Sequence, residues 1–203
     1  MNSTETYLGK EDAPPGLKCL ANGKVRDIYE LDENRLLFVT TDRVSAFDVV
    51  MNEGIPNKGR VLTAISAWWF AATEDIVANH LISTSVDDVP GLDDRCEPMA
   101  VEWVVRGYVV GSGWKEYKQQ GTISGIPQPE GLEQAQALPK AILTPSTKDD
   151  LHDKPITPEE AAEIVGQEVF DISEKASLAL FQRGTERLAE LNILLADTKF
   201  EFG

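Results

Sequence analysis

The last ten residues, Leu194-Leu195-Ala196-Asp197-Thr198-Lys199-Phe200-Glu201-Phe202-Gly203, constrain the fold more than any other stretch. Side chains of an extended strand alternate between faces. One face then carries Leu194, Ala196, Thr198, Phe200 and Phe202, a set suited to burial. The other carries Asp197, Lys199 and Glu201 in a row after Leu195. Neighbours in that row would stand roughly 6.5–7 Å apart, two strand rises. An acid, a cation and an acid in line suit an anionic ligand bridged by a divalent metal. A solvated strand face has the same pattern, and the stretch alone leaves both readings open.

A chain of 203 residues can form one large domain or two small lobes, with a real core. Its net charge of −15 argues against nucleic-acid and membrane-surface binding. A local cluster of Lys and Arg can still bind a phosphorylated small molecule. Cys19 and Cys96 read as free thiols, with no disulfide framework or CxxC metal site. The first twelve residues are polar, unlike a signal peptide, and no run approaches the ~20 apolar residues that span a bilayer. The expected location is therefore the cytoplasm.

Gly23–Glu30 and Arg35–Thr41, joined by an acidic turn, read as a β-hairpin. Val25, Asp27 and Tyr29 face one way, and Lys24, Arg26 and Ile28 the other. Lys24 and Arg26, just after a glycine, can hold phosphate oxygens, as a point charge and a fork; edge-strand cations give the same pattern. In the polar loop Thr41–Asp48, Ser45 and Asp48 suit a sugar or polar ligand, but an ordinary Ser/Asp turn is the preferred reading. Asn57 is a candidate N-cap for a helix of about 15 residues, in which Val61, Leu62, Ile65, Trp68, Trp69 and Ala72 recur at core-facing spacing. His80–Val86 reads as a strand and Asp87–Glu97 as an acidic connection.

Met99–Arg106 is the next strong strand, with Ala100, Glu102, Val104 and Arg106 on one face. It runs into a glycine-rich segment that allows close backbone approach to a ligand. Ser112 stands at the start of a helix over Trp114–Gln119, where a serine either caps or accompanies a bound phosphate. Residues 121–145 read as a long excursion with short strands. The loop Thr144–Asp153 gathers Lys148, His152 and Asp153; it suits a substrate contact or a solvated loop, and one histidine without H-x-x-x-H spacing is weak evidence for zinc. Thr157-Pro158-Glu159-Glu160 opens a helix. A longer helix runs from about Ser173 to Asn192, with Ile172, Ala176, Ala179, Leu180, Leu188 and Leu191 as its apolar side.

Five segments occur in an order that resembles a known family. They are Gly23–Tyr29, Ser45–Asp48, Val101–Arg106 followed by Gly111-Ser112, Thr144–Lys148, and Asp197–Gly203. Together they resemble the SAICAR synthetases (phosphoribosylaminoimidazole-succinocarboxamide synthases) of purine biosynthesis, over the chain from about residue 17 onward. Ala100, where the family usually has proline, and Val110 depart from the pattern.

The resemblance implies an α+β, two-lobe, kinase-like ATP-binding fold, with a β-rich N-terminal lobe over residues 1–98 and a mixed C-terminal lobe over 99–203. It implies an ATP-dependent ligase that joins L-aspartate to the carboxylate of 5-amino-1-(5-phosphoribosyl)imidazole-4-carboxylate (CAIR), with Mg²⁺. By motif position Lys24 and Arg26 would contact ATP phosphates, and Glu102 the nucleoside. Asp197, Lys199 and Glu201 would form the catalytic row, with Lys199 on phosphate and Glu201 on Mg²⁺. Arg106, Ser112, Lys148, His152 and Asp153 would line the CAIR site, with Ser45 and Asp48 in the substrate cleft. Family members continue past Glu-Phe-Gly with another acidic metal ligand and a substrate arginine, so poor or absent ligase activity and reduced stability are expected of the 203-residue chain alone. A small-molecule kinase and a non-catalytic nucleotide-binding fragment are the competing readings.

Overall fold

A computed structural model describes residues 6–9, 16–47, 49–84, 92–94 (backbone), 97–148 and 153–203. Asp48 and His152 therefore lie outside the described residues. The chain divides into two compact units, Met1–Cys96 and Glu97–Gly203.

The first unit is organised by the hairpin that its alternation predicts. Strands β1 (Lys18–Asn22), β2 (Arg26–Glu30) and β3 (Arg35–Thr40) run antiparallel, with β2 and β3 in register from Arg26↔Thr40 to Glu30↔Leu36. Asp27, Tyr29 and Leu37 are buried while Lys24 and Arg26 are exposed, so the two predicted faces are separated. A two-stranded ladder follows, β4 (Ser45–Ala46) and β5 (Val49–Val50), with Phe47 at its tip at φ 50° and fully exposed. Helix α1 (Lys58–Ala72) comes next, then β6 (Leu81–Ser83) and β7 (Leu92–Asp94). The sheet order is β1-β2-β3-β7-β6. The acidic stretch expected to be a connection thus contains a strand. Its ladder with β3 and β6 is made by backbone groups, which side-chain patterning does not report.

Two expectations for α1 are corrected. Asn57 is not a side-chain cap: it sits at φ 65° and makes no capping hydrogen bond. The cap comes from Asp42, whose Oδ1 accepts the Gly59 N–H at 2.8 Å while Oδ2 accepts those of Asn57 at 3.2 Å and Tyr7 at 3.0 Å. The helix start packs so closely on the Thr40 carbonyl that a Cβ on Gly59 would collide with it. Trp68 is not core either, whereas Trp69 is half-buried. Trp68 is 53% exposed and meets Trp69 edge-on, and Val61, Leu62 and Ile65 are exposed. Helical spacing shows that an apolar face exists, not what covers it.

The second unit is built on β8 (Val101–Tyr108). Helix α2 (Gly111–Gln120), the ladder of β9 (Thr122–Ile123) with β10 (Ile126–Pro127), and β11 (Ala137–Leu143) follow. Then come β12 (Ser146–Thr147), β13 (Lys154–Pro155), α3 (Pro158–Val165), α4 (Gln167–Ala189) and β14 (Asp197–Phe200). Strand β8 pairs with β11 and β12 and also with β14, all antiparallel. Its inward residues Val101, Trp103 and Val105 are fully buried against Phe170 and Phe181 of α4 and Ala161 of α3. Trp103 lies 5.6 Å from Phe170 and 6.0 Å from Phe202 between ring centroids. A second cluster, Val109, Ile123, Leu132 and Leu138 with Trp114 and Tyr117, seats α2.

Helix α3 starts as its sequence predicts. Thr157 accepts from the Glu160 N–H and Glu160 accepts from the Thr157 N–H, a complete capping box with Pro158 in the first turn. Helix α4 departs from its expected apolar side. It begins at Gln167, and its buried stripe is Phe170, Ser173, Ser177, Phe181 and Gly184, whereas Ile172 and Leu191 are 63% and 67% exposed. Phe170 and Phe181 set the register of this face, and Phe181 packs so closely on β8 that a Cβ on Gly107 would stand 3.0 Å from its ring. At the chain's end, Phe200 and Phe202 join the core as expected. Leu194 does not, at 76% exposed; Leu195 packs there instead. The strand begins only at Asp197, so the alternation does not extend back through the preceding loop.

Candidate active site

Alternation along β8 puts Glu102, Val104 and Arg106 opposite the buried face, where they line a cavity of about 400 Å³. Ser112 and Lys115 of α2, Thr144, Ser146, Asp153 and Lys199 also line it. Strand β14 pairs with β8 so that Asp197 lies opposite Arg106 and Lys199 opposite Val104. The row seen in the closing sequence is thereby laid beside the charged face of the central strand.

Arg106 is fixed from three directions. Its Nε donates to Thr144 Oγ1, its Nη1 to Asp197 Oδ2 and its Nη2 to Ser112 Oγ, each at 3.1 Å. Ser112 is therefore not a helix cap: Val110 occupies that position, and the serine hydroxyl accepts from the arginine. Thr144 Oγ1 also donates to the Val104 carbonyl at 3.1 Å, which ties the bond to the sheet.

Lys199 Nζ lies 2.8 Å from Glu102 Oε1 and 3.5 Å from Asp153 Oδ2. Glu102 is 5% exposed, and its second oxygen accepts from Ser146 Oγ at 3.3 Å. Partial burial pushes the Lys199 ammonium down, but the Glu102 hydrogen bond and the charges of Glu102 and Asp153 outweigh it and hold it above the ordinary lysine value. Lys199 is therefore a fixed cation at neutral pH. Lys148 and Glu201 form a more exposed pair at 2.8 Å.

The second unit thus gathers six of the residues singled out from sequence, Glu102, Arg106, Ser112, Asp153 and Lys199 in the cavity wall and Asp197 on Arg106, while Lys148 and Glu201 pair with each other outside that lining. Lys24, Arg26 and Ser45 lie in the first unit, the lysine in the turn before β2 and the serine, partly buried, in β4.

A family model described as SAICAR synthetase matches residues 19–203. The chain belongs to the SAICAR synthetase family. The phosphoribosylaminoimidazole-succinocarboxamide synthase of Syntrophotalea carbinolica is 50% identical over an alignment of 205 positions, covering 93% of this chain and 69% of that protein. Among solved structures, the SAICAR synthase of Saccharomyces cerevisiae complexed with SAICAR superposes with a TM-score of 0.89 at 39% identity, over 97% of this chain and 71% of that one. A type-2 SAICAR synthetase in complex with ADP superposes with a TM-score of 0.74 at 26% identity, over 92% and 75%. The α+β fold is that of these synthetases. Among the described residues, no helix is long and apolar enough to cross a membrane.

Sequence reading of this SAICAR synthetase chain passed over Thr144 and Ser146 as single residues, although they lie in a motif it used. Their signal is positional: they face β8, and Ser146 pairs with Glu102. It also read Thr41-Asp42-Arg43 as a polar loop, yet all three are buried. The partners their side chains bond outside this segment lie 15–35 positions away, so no local pattern announces them.

Proposed function

We propose that this chain catalyses the ATP-dependent joining of L-aspartate to the carboxylate of CAIR, giving SAICAR, ADP and phosphate. The observation that carries the reading is the fixed Arg106 fork beside the Lys199–Glu102 pair in one cavity, within a chain of this family. A carboxylate is a poor acyl donor at neutral pH. Transfer of the ATP γ-phosphoryl group to a CAIR carboxylate oxygen releases ADP and forms an acyl phosphate. The aspartate amine then attacks the carbonyl carbon, phosphate leaves with that oxygen, and the amine gives up a proton. Such chemistry needs placement and charge neutralisation more than a protein nucleophile.

Each residue has a role within that scheme. Lys24 and Arg26 neutralise ATP phosphates from the first unit. Lys199 neutralises charge on the transferring phosphoryl group, and Glu102 holds its ammonium. Arg106, oriented by Ser112, Thr144 and Asp197, binds the anionic part of CAIR, with Lys148 and Asp153 beside it. Among the described residues no three His, Cys, Asp or Glu side chains gather round one point, so a Mg²⁺ would rely on Glu201, phosphate oxygens and water, a donor set this ion accepts. When bound it would neutralise phosphate charge. Glu201 is available because its present partner is an exposed ion pair with Lys148, worth only about 0–1 kcal/mol.

A coupled ADP-release assay with CAIR and aspartate each omitted in turn tests the reading. The expected result is release that requires both, with SAICAR formed and oxygen label passing from the CAIR carboxylate into phosphate. Release without aspartate and with a stable phosphorylated product would make the chain a kinase; ATP binding without release would make it a non-catalytic module.

A further inference from the structure

The most completely satisfied polar group outside the cavity is the Arg43 guanidinium in the first unit. A guanidinium has five N–H donors, and all are used. Nε donates to the Lys24 carbonyl at 3.1 Å. Nη1 donates to the Leu8 carbonyl at 2.7 Å and to Asp27 Oδ2 at 3.0 Å. Nη2 donates to the Gly23 carbonyl at 3.0 Å and to Asp27 Oδ1 at 2.7 Å. The residue is 6% exposed, and the Asp27 hydrogen bond, offset in part by burial, holds its charge above the ordinary arginine value. Gly9 covers the cluster at φ +73°, where a Cβ would press on Asp27 Oδ2 and Arg43 Nη1. So satisfied a group has no donor left for a ligand.

What it holds is the turn that carries Lys24. The Gly23 N–H donates to the Arg26 carbonyl at 2.7 Å and closes that turn. The Gly23 and Lys24 carbonyls both point at the guanidinium. In a trans peptide the carbonyl and the following N–H point in opposite directions, and no cis bond occurs among the described residues. The Lys24 and Val25 N–H groups therefore point away from Arg43. No described residue accepts from the Val25 N–H. Successive N–H groups on one side of a turn make an anion-binding concavity.

We propose that Arg43 is a positioning residue for the nucleoside triphosphate. It turns the Gly23 and Lys24 carbonyls inward, so that the Val25 N–H joins the Lys24 and Arg26 side chains in receiving phosphate oxygens, and it does not touch the nucleotide itself. The inference rests on the reading of Lys24 and Arg26 as phosphate contacts.

The test is equilibrium titration of wild type, Arg43→Lys and Lys24→Ala with ATP and with AMP, beside amide exchange of the wild type by NMR. Arg43→Lys keeps the charge but not the fork. It is expected to weaken ATP about tenfold or more while AMP stays within about twofold. In the wild type, ATP but not AMP protects the Val25 amide, and the Arg43 Nε–H signal stays in place. An unchanged ATP affinity in folded Arg43→Lys overturns the proposal, as does equal weakening of ATP and AMP, the mark of a general structural role. If Arg43→Lys fails to fold, wild-type exchange decides: no protection at Val25 overturns it. Loss of ATP affinity in Lys24→Ala but not in Arg43→Lys sinks the positioning role alone; loss in neither variant sinks the phosphate reading as well.

Discussion

Arg43 in the first unit donates to three backbone carbonyls and one carboxylate, whereas Arg106 in the second donates to three side-chain oxygens, of Thr144, Ser112 and Asp197. Backbone acceptors cannot turn away without moving the chain, so Arg43 and the main chain around it fix one another. Side-chain acceptors can rotate, so Arg106 can exchange them for the oxygens of a ligand. Both guanidinium groups are largely buried, at 7% and 14% side-chain exposure, so burial does not distinguish them. What distinguishes them is the kind of partner and the cavity beside Arg106.

The contrast breaks most visibly at Arg43 itself. Arg43→Ala leaves Asp27 buried and unpaired, and is expected to cost about 3–5 kcal/mol in denaturant unfolding. A loss below about 1 kcal/mol, the range of surface pairs, would place Arg43 among dispensable charges.

Lys199→Met removes the cation fixed by Glu102 and is expected to lower kcat by about 10²–10³-fold, as loss of one charge-stabilising group does. The raised value of Lys199 sets the pH sign. Its pairing is complete below the ordinary lysine value near 10.4 and is lost only as pH rises through the higher folded value. Activity between about pH 7 and about pH 9, below the ordinary lysine value, should show no inflection that Lys199→Met removes.

Asp42 gives a smaller effect of opposite sign. Burial pushes its carboxyl up, but the N–H groups of Gly59, Tyr7 and Asn57 outweigh that and hold it below the ordinary value. Its contribution is complete above the ordinary aspartate value of about 3.9 and fades as pH falls through the lower folded one. Asp42→Ala is expected to cost about 1–2 kcal/mol at neutral pH and to flatten the acid limb of stability against pH. At the small end, Phe47→Ser at the exposed tip should change stability by no more than about 0.5 kcal/mol. A larger loss would show that the tip packs.

The same contrast explains how much could be read in the sequence. The hairpin, the capping box of α3, the charged face of β8 and the Asp197-Lys199-Glu201 row are local patterns, each set by spacing within a few residues. The Asp42 cap and the Arg43 network join residues 15–35 positions apart, all but Asp27 through backbone groups that every residue possesses, and the sequence carries no mark of them. Where a pattern was read too far, packing decided otherwise. Leu195 rather than Leu194 enters the core, because the strand begins only at Asp197, and Ser173 and Ser177 rather than Ile172 lie on the helix face that Phe170 and Phe181 bury.

The central claim, that Arg106 binds substrate directly while Arg43 acts only through the main chain it holds, is tested most directly by titrating CAIR into wild type and Arg106→Gln, with the unfolding midpoint of each recorded. The account predicts at least about a hundredfold weaker CAIR binding, near 2.7 kcal/mol, with an unchanged midpoint. Equal CAIR affinity in the two proteins, or a lowered midpoint in Arg106→Gln, would contradict it.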